Sequence, residues 1–350
     1  MSESRSVRAA QAGNAALVLA LVLVPLFFEP FRVTQFTQIL VVAIAVAGLN
    51  LLTGFTGQVS VGHSAFFGIG AYVTGVLIVH AAVPMTAAII AGTLSGGIAG
   101  ALFGVPSLRI KGTHLAIVTL VLAASLPAVL STFSEITGGT EGLRVPRITP
   151  PRGSFLAADQ TRYYVVLGVL LLIVLGVFML DRSRTGRALR ALGDNEIAAV
   201  TYGVRPMRLR IGVFAASSTI TALAGALFAV TSGFISSTTS YMTIVGSIVF
   251  LTALVIGGRA LLAGPLAGAA IAELLPAQIS RQSPEWANFA YGAILIALLL
   301  LAPEGISSLR PRRWLSRTAP DVLPTPLQQE EAPHDTDNTH DQATSTTHIG

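Results

Sequence analysis

The sequence predicts an all-α integral membrane protein, a polytopic bundle of about ten transmembrane helices, some of them broken or re-entrant. Two observations on composition support this prediction: 52% of the 350 residues are hydrophobic, and only 11% are charged. Soluble domains carry about 25% charged residues. The third observation is that the apolar residues form runs long enough to cross a hydrocarbon core about 30 Å thick as helices.

Ten apolar runs are candidate spans. The first could also be a signal peptide, but Phe28-Glu29-Pro30 has no small-residue cleavage site, so it is expected to be retained. The third, eighth and ninth contain glycine and proline and are the candidates for broken or re-entrant helices. The runs lie near residues 9–28, 33–53, 59–80, 84–105, 113–133, 163–180, 211–231, 243–258, 261–278 and 288–302.

The basic residues predict the orientation. With both termini in the cytoplasm, 16 of the 22 basic residues lie in cytoplasmic segments, as the positive-inside rule requires. From about residue 319 the chain is rich in Pro, Thr, Asp and Gln and is expected to be disordered. The predicted parts are a cytoplasmic N-terminus (1–8), a membrane domain (9–302) with an outer loop (134–162) and a cytoplasmic loop (181–210), and a cytoplasmic tail (303–350).

Several function classes are not expected. The chain has no cysteine, so a disulfide framework, a thiol nucleophile and a cysteine-based metal site are excluded. Its only lysine, Lys111, follows Ile110, so the ATP-binding pattern GxxxxGK[ST] is missing. The arginines cluster at span ends, which explains the net charge of +5 by topology rather than by nucleic-acid binding. We therefore predict no catalytic residues, no metal site and no enzymatic activity.

The stretch TGFTGQVSVGHSAFFGIGAY, residues 53–72, is unusually polar for its place between two apolar runs. It could be a turn between tightly packed helices, or a break whose polar groups line a path, because irregular backbone survives at that depth only inside protein or beside water. His63 could be a neutral hydrogen-bonded group or a substrate contact. The candidate pathway residues are Gly54, Gly57, Gln58, Ser60, His63 and Ser64.

Glycine recurs every four residues in the fourth run, at Gly92, Gly96, Gly100 and Gly104. This spacing lines one narrow stripe of a helix, where another backbone can approach closely. It predicts a helix-packing surface in a compact bundle.

The loop 181–210 predicts two short helices on the cytoplasmic face. The first covers Arg187 to Leu192, and the second covers Glu196 to Thr201, with Asp194 or Asn195 as its cap and Gly203 at its end. Its seven arginines suit either anionic lipid headgroups or a docking site for a cytoplasmic partner.

Several motifs, in order along residues 35–310, resemble the permease subunits of branched-chain amino acid ABC importers, in particular the M-type half. One departure is GGRALLAGP, in which Arg259 and Ala260 replace residues that are often apolar and glycine in that family. The motifs are LNLLTGFTGQVSVGHSAFFGIGAY, IKGTHLAIVTL, TGGTEGL, GRALRALGDNEIAAVTYGV with FAASSTITALAGALFA, and APEGI.

The resemblance implies the ABC importer permease fold in a bacterial inner membrane. It also implies a second related permease, two cytoplasmic ATPases that bind ATP, and an external solute-binding protein facing the outer loop, with no cofactor in this chain. The polar break would line the route of a branched-chain or related amino acid. The residues that would dock on the ATPase are Arg187, Asp194, Asn195, Glu196 and Gly203.

The alternative is a self-sufficient channel or secondary carrier for a small polar solute, based on the same glycine-rich break. Ion-coupled carriers usually hold charged side chains within the membrane. The spans of this chain contain few of them, which favours an energy source outside the bilayer.

Overall fold

A computed structural model describes residues 2–58, 60–107, 113–151, 153–258 and 263–282. This part of the chain is almost entirely helical, and the prediction of an all-α membrane protein is confirmed. A two-residue strand β1 (Leu143–Arg144) pairs antiparallel with β2 (Phe234–Ile235), and a 3-10 turn covers Ser240–Met242. The helices are α1 (Ser2–Phe27), α2 (Pro30–Thr56), α3 (His63–Val79), α4 (Met85–Ser107), α5 (Thr113–Thr132), α6 (Ser134–Thr137), α7 (Ala158–Arg182), α8 (Arg184–Asp194), α9 (Glu196–Thr201), α10 (Pro206–Ser232), α11 (Ile244–Gly257) and α12 (Ala263–Gln282).

Within these residues, 5 helices are long and apolar enough to cross a membrane, namely α2, α4, α5, α7 and α10. Shorter apolar stretches occur in α1, α3, α11 and α12. The predicted span near 288–302, the tail and Arg259 lie outside the described residues, so the number of about ten spans stays a prediction. Helix α7 begins at Ala158, inside the segment predicted as an outer loop.

Helices α2 and α10 form the centre of the bundle. In each of them 72% of the most apolar stretch is buried, compared with 28% in α4, α5 and α7. Helix α10 packs on α2, α3 and α4. Glycines allow these contacts, because a Cβ atom at Gly225 would collide with the carbonyl of Phe67, and one at Gly70 with the carbonyl of Ala222.

The substitution Gly225→Ala is therefore expected to lower the free energy of unfolding by about 1–3 kcal/mol, the usual cost of overpacking. Gly212→Ala in the same helix is the matched control, because Gly212 has no neighbour within 4 Å of an added Cβ and alanine favours helix there. Thermal unfolding of both purified variants measures the difference. Equal midpoints would contradict a close contact between α10 and α3 at Gly225.

The four predicted packing glycines of α4 lie against α3 and α10. A Cβ at Gly92 would collide with Thr74 of α3, and Cβ atoms at Gly96 and Gly100 would collide with side chains of α10. At Gly104 the nearest α10 backbone atom would be 3.4 Å away, so the fit loosens toward the end of the helix. The stripe thus brings α4 close to the central helix.

Candidate functional site

The polar break between α2 and α3 spans residues 57–62. Gly57 ends α2 in the left-handed conformation, with φ of 66°, and its N–H donates to the carbonyl of Thr53 at 3.0 Å. The break is shorter than the predicted segment, since Gly54 lies within α2 and Ser64 lies within α3. The reason is that the backbone hydrogen bonds of α2 continue through this polar sequence as far as Gly57.

The break ends deep within the bundle. Helices α3 and α10 run side by side, and His63 at the start of α3 contacts Ser217, near the middle of the 27-residue α10. Helix α11 also begins near this level, because Ser247 in its first turn contacts Ser64. At 17 and 14 residues, α3 and α11 are roughly 25 and 21 Å long, which is less than the hydrocarbon core of about 30 Å. The contact of Ser64 with Ser247 shows that their first turns meet inside the protein.

His63 links the break to α2 and α10. Its Nδ1 lies 2.9 Å from Ser60 Oγ, and its Nε2 lies 2.7 Å from Ser217 Oγ. Ser217 donates its own proton to the carbonyl of Gly48 at 2.6 Å, so Nε2–H donates to Ser217. In the neutral imidazole, Nδ1 then accepts from Ser60. With 1% of its surface exposed, His63 is a buried neutral group whose two nitrogens are both occupied.

Two further contacts hold the start of α3. The Ser247 hydroxyl of α11 accepts from the Ser64 backbone N–H at 3.2 Å and donates to Ser64 Oγ at 2.7 Å. Thr119 Oγ1 of α5 accepts from the backbone N–H of Val61 at 3.1 Å. An added Cβ at Gly62 would collide with the Thr119 carbonyl, which shows how closely the chain passes α5. The α3–α11 junction is thus joined by hydroxyls from three helices.

The end of the break that follows α2, at Gly57 and Gln58, is less closely packed than the junction. The Oε1 atom of Gln58 is buried and has no hydrogen-bond partner in the described part of the chain. An added Cβ at Gly57 would have no neighbour within 4 Å. Of the predicted pathway residues, Ser60, His63 and Ser64 therefore belong to the junction, whereas Gly57 and Gln58 lie at its open end.

This chemistry suits an uncharged or zwitterionic solute. The junction side chains are hydroxyls and one neutral imidazole, and the N-termini of α3 and α11, which carry positive partial charge, converge there. A polar solute could replace hydroxyl bonds with bonds of similar strength. Ser217, Ser247 and Thr119 were missed from the sequence, although Ser217, Thr221 and Gly225 form a stripe of small residues that marked one face of α10.

Helices α8 and α9, in the loop predicted to be cytoplasmic, are separated by one residue, Asn195. Helix α8 begins at Arg184, earlier than predicted, because Ser183 Oγ caps it by accepting from the Gly186 N–H at 3.1 Å. Asn195 caps α9, with Oδ1 accepting from the Ala198 N–H at 3.0 Å. Of the two predicted caps, Asn195 is thus the one used.

The other predicted docking residues have different surroundings. Asp194 ends α8 and is exposed, and the exposed Arg187 donates to the last carbonyl of α7 at 3.0 Å. Glu196 forms an ion pair with Arg210 of α10 at 3.0 Å. Gly203 has φ of 82° and turns the chain toward α10. Glu196 and Gly203 therefore place α9, and Asp194 and Arg187 are open to a partner.

An exposed apolar surface lies next to these residues. Ile197, Val200 and Tyr202 are 81%, 48% and 89% exposed, whereas Ala199 on the opposite side of α9 is buried. The sequence carried this signal in the spacing of Ile197 and Val200, which share a helix face. We define these three exposed residues as the α9 surface.

Helix α8 connects the loop to the polar break. Its Leu189 and Leu192 are buried, and it packs on α2 and α7. A Cβ at Gly193 would lie 2.6 Å from the carbonyl of Phe55, in the last turn of α2. The break begins at Gly57, two residues farther along. The loop and the polar break are therefore joined through the end of α2.

Glu273 of α12 is held within an aromatic cluster. Tyr241 donates its hydroxyl to Glu273 Oε2 at 2.7 Å. The Tyr241 ring lies 5.5 Å from the ring of Phe228 and 6.0 Å from that of Phe67, measured between centroids. This contact joins the segment before α11 to α12.

The segment 134–144 forms an ordered turn at the other end of the bundle from α8. Thr137 donates to the Leu130 carbonyl at 2.6 Å, and Gly138 and Gly142 have φ of 73° and 80°. Strand pairing then fixes the turn to the residues that follow α10. Exposed carboxylates of Glu135 and Glu141 border a cleft there.

A protein-family model described as the branched-chain amino acid transport system permease component matches residues 31–299. The high-affinity branched-chain amino acid transport system permease protein LivM of Escherichia coli (strain K12) is 28% identical over 328 residues, which cover 87% of this chain and 76% of the relative. LivM of Salmonella typhimurium is 28% identical over 314 residues, 83% and 73% of the two chains. LivH of Salmonella typhimurium is 25% identical over 282 residues, 75% and 90%. No solved structure matches the chain.

Proposed function

The chain belongs to the permease family of branched-chain amino acid transport systems, and on that premise we propose that it is the membrane subunit of an ATP-driven importer. Its cargo would be a branched-chain or related amino acid, and its place the bacterial inner membrane with both termini in the cytoplasm. ATP would be bound by partner subunits. The relatives named LivM and LivH are permease proteins of high-affinity branched-chain amino acid transport systems, which supports this assignment.

The observation that best supports ATP-driven coupling is the packing of α8 against the last turn of α2. Gly193 lets the backbone of α8 pack closely against Phe55 at the end of α2, so a movement of α8 would be passed to the end of α2. Gly57 follows that turn and has open space around it, so the break can change shape there. A force applied to α8 and α9 by a cytoplasmic ATPase would thus reach the polar break directly.

The short helices α3 and α11 would control access to the pathway. In the state described here, the start of α3 is joined to α11 by the Ser64–Ser247 hydrogen bond and to α10 by the His63–Ser217 hydrogen bond. Opening would separate these hydroxyls, and the carboxylate or ammonium group of the solute would take their place. Bonds to the charged groups of the solute are about twice as strong as the neutral bonds that they replace, which offsets the cost of separating the hydroxyls. The junction supplies polarity without a fixed charge that would trap the zwitterion.

The partners would be those of a complete importer: a second related permease, two ATPases and an external solute-binding protein. The α9 surface and the exposed Asp194 and Arg187 would contact an ATPase. The carboxylates of Glu135 and Glu141, on the predicted outer side, would contact the binding protein.

The test is affinity purification of the tagged full-length chain, followed by mass spectrometry and by reconstitution into liposomes. We expect a second permease and two ATPases to co-purify, and leucine uptake to require ATP and the binding protein. Loss of co-purification on altering residues 194–196, with membrane insertion retained, would support the docking site. Solute flux through the isolated chain without ATP would instead establish the channel or carrier alternative.

A further inference from the structure

Arg210 of α10 forms an ion pair with Glu196, the first residue of α9, at 3.0 Å. The pair is partly shielded from water, since 13% of the Arg210 side chain and 31% of the Glu196 side chain are exposed. Water and salt weaken such a pair less than a fully exposed one. The Nε atom of Arg210 is buried and makes no hydrogen bond within the part of the chain that the structure describes. The position of this guanidinium group therefore depends on Glu196.

A second contact fixes the corner between α9 and α10. The two helices are joined by residues 202–205, in which Gly203 adopts a left-handed conformation with φ of 82°. Across this turn the Val204 N–H donates to the carbonyl of Ala199 at 3.0 Å. Helix α9 is thus attached to the chain that leads into α10 both at its first residue, by the ion pair, and near its end. A movement of α9 would therefore be passed to the start of α10.

Arg210 lies on the face of α10 that contacts the start of α3. Phe214 and Ser217 follow Arg210 by four and seven residues, and residues at these intervals share one face of a helix. The ring of Phe214 lies 6.3 Å from that of His63, between centroids, and Ser217 Oγ lies 2.7 Å from His63 Nε2. At 1.5 Å per residue, Arg210 and Ser217 are about 10 Å apart along the helix axis. A shift of the start of α10 would reach His63 within two turns.

The other end of the loop is the same distance from Ser217, measured along α2. Helix α8 packs against Phe55 of α2 through Gly193. Gly48 lies seven residues before Phe55, and its carbonyl accepts the Ser217 proton at 2.6 Å. Helices α2 and α10 are thus joined at Ser217, and each is held by the loop about two turns away.

We propose that Arg210 is a positioning residue that transmits the movement of α9 to α10, an inference that rests on the proposed importer function. Because α8 holds α2 and α9 holds α10, an ATPase that moves the loop would move both helices together. The bond between Ser217 and Gly48 would then be kept, and the bond between Ser217 and His63 would be separated. The ion pair would thus direct the force of the ATPase to the α3–α11 junction.

The first test is hydrogen–deuterium exchange of the isolated full-length chain in detergent. Arg210→Gln removes the cation and leaves Glu196 where water reaches it, so the chain is expected to fold. The backbone amides of α9 should exchange on the order of fivefold faster than in the wild type, the effect of losing one ion pair. Arg208→Gln is the matched control, because Arg208 is an exposed arginine of the same helix, and its exchange should equal that of the wild type. Unchanged exchange of α9 in Arg210→Gln would overturn the proposed contact.

The second test measures leucine uptake per ATP hydrolysed by the reconstituted importer. Arg210→Gln keeps the α9 surface, so the ATPases should still co-purify, but the ratio of uptake to hydrolysis is expected to fall on the order of tenfold, within the usual range for coupled sites. Arg210→Lys keeps the positive charge and should restore most of this ratio, and Arg208→Gln should not change it. A pair with only a structural role would lower thermal stability and leave the ratio unchanged.

The wild type distinguishes failure of this role from failure of the proposed function. If the wild type recruits no ATPase, or takes up leucine without ATP, the importer assignment and the role of Arg210 are both wrong. If the wild type couples uptake to ATP hydrolysis and Arg210→Gln does so equally well, the importer assignment stands and only the role of Arg210 is wrong.

Discussion

Replacing Ile197 with aspartate is expected to abolish coupling while leaving the membrane domain folded. Ile197 is 81% exposed, so its substitution removes little packing from the isolated chain. In the proposed importer this side chain would be buried against an ATPase, and an unpaired carboxylate there costs about 3–5 kcal/mol. ATPase binding should then weaken at least about a hundredfold. Co-purification of the ATPases and ATP-dependent leucine uptake measure this effect.

Two controls separate charge from exposure in the Ile197 experiment. Ile197→Leu keeps an apolar side chain and should retain at least about half of wild-type uptake. Phe155→Asp introduces the same charge at a fully exposed position in the segment predicted to be outside, 105% exposed, and should leave ATPase binding unchanged. If Ile197→Asp retains both the ATPases and uptake, the α9 surface is not the docking site.

Two of the residues predicted to dock on the ATPase, Asn195 and Glu196, have a structural role within the chain. Glu196 forms an ion pair with Arg210, and Asn195 caps α9, so both hold the helix that presents the α9 surface. The sequence predicted the two helices well because caps and glycine act locally. The docking residues were predicted from the family resemblance. The spacing of Ile197 and Val200 places them on one helix face, but only the burial of Ala199 shows that this face is the exposed one.

The helices were predictable for a similar reason. Apolar runs fall on α2, α4, α7 and α10, because a bilayer requires continuous apolar helices. The depth at which α3 begins was not predictable. It depends on the contact of His63 with Ser217, 154 residues away, and of Ser64 with Ser247, 183 residues away. No local pattern specifies which hydroxyls meet across such separations.

The family resemblance read from short motifs is confirmed by the match over residues 31–299. In several of these motifs the structure shows what the glycine residues do. In TGGTEGL, Gly138 and Gly142 occupy left-handed conformations that glycine adopts without strain. In GRALRALGDNEI, Gly193 permits the contact with Phe55. The motif residues therefore mark places where the backbone must turn or approach closely.

Adjacent serines of α10 test the importance of the His63 contact. Ser217 and Ser218 are both fully buried, but Ser217 Oγ bonds His63 and Gly48, whereas Ser218 Oγ has no partner in the described part of the chain. Ser217→Ala leaves the His63 Nε2–H unpaired in the interior and should lower the free energy of unfolding by about 1–3 kcal/mol. Ser218→Ala removes a buried hydroxyl that makes no bond in the described part of the chain, so it should leave the free energy of unfolding unchanged or raise it by about 1 kcal/mol.

The Ser217→Ala and Ser218→Ala variants also test whether the His63 contact matters for transport as well as for stability. With the ring of His63 released, the start of α3 is no longer fixed against α10, and leucine uptake by the reconstituted complex is expected to fall on the order of tenfold in Ser217→Ala, equivalent to about 1.4 kcal/mol. Uptake in Ser218→Ala should equal that of the wild type, since its helix and its neighbours are the same. Thermal unfolding and uptake rate are measured on both variants. Equal behaviour of the two serines would show that the His63–Ser217 bond supports neither the junction nor the pathway.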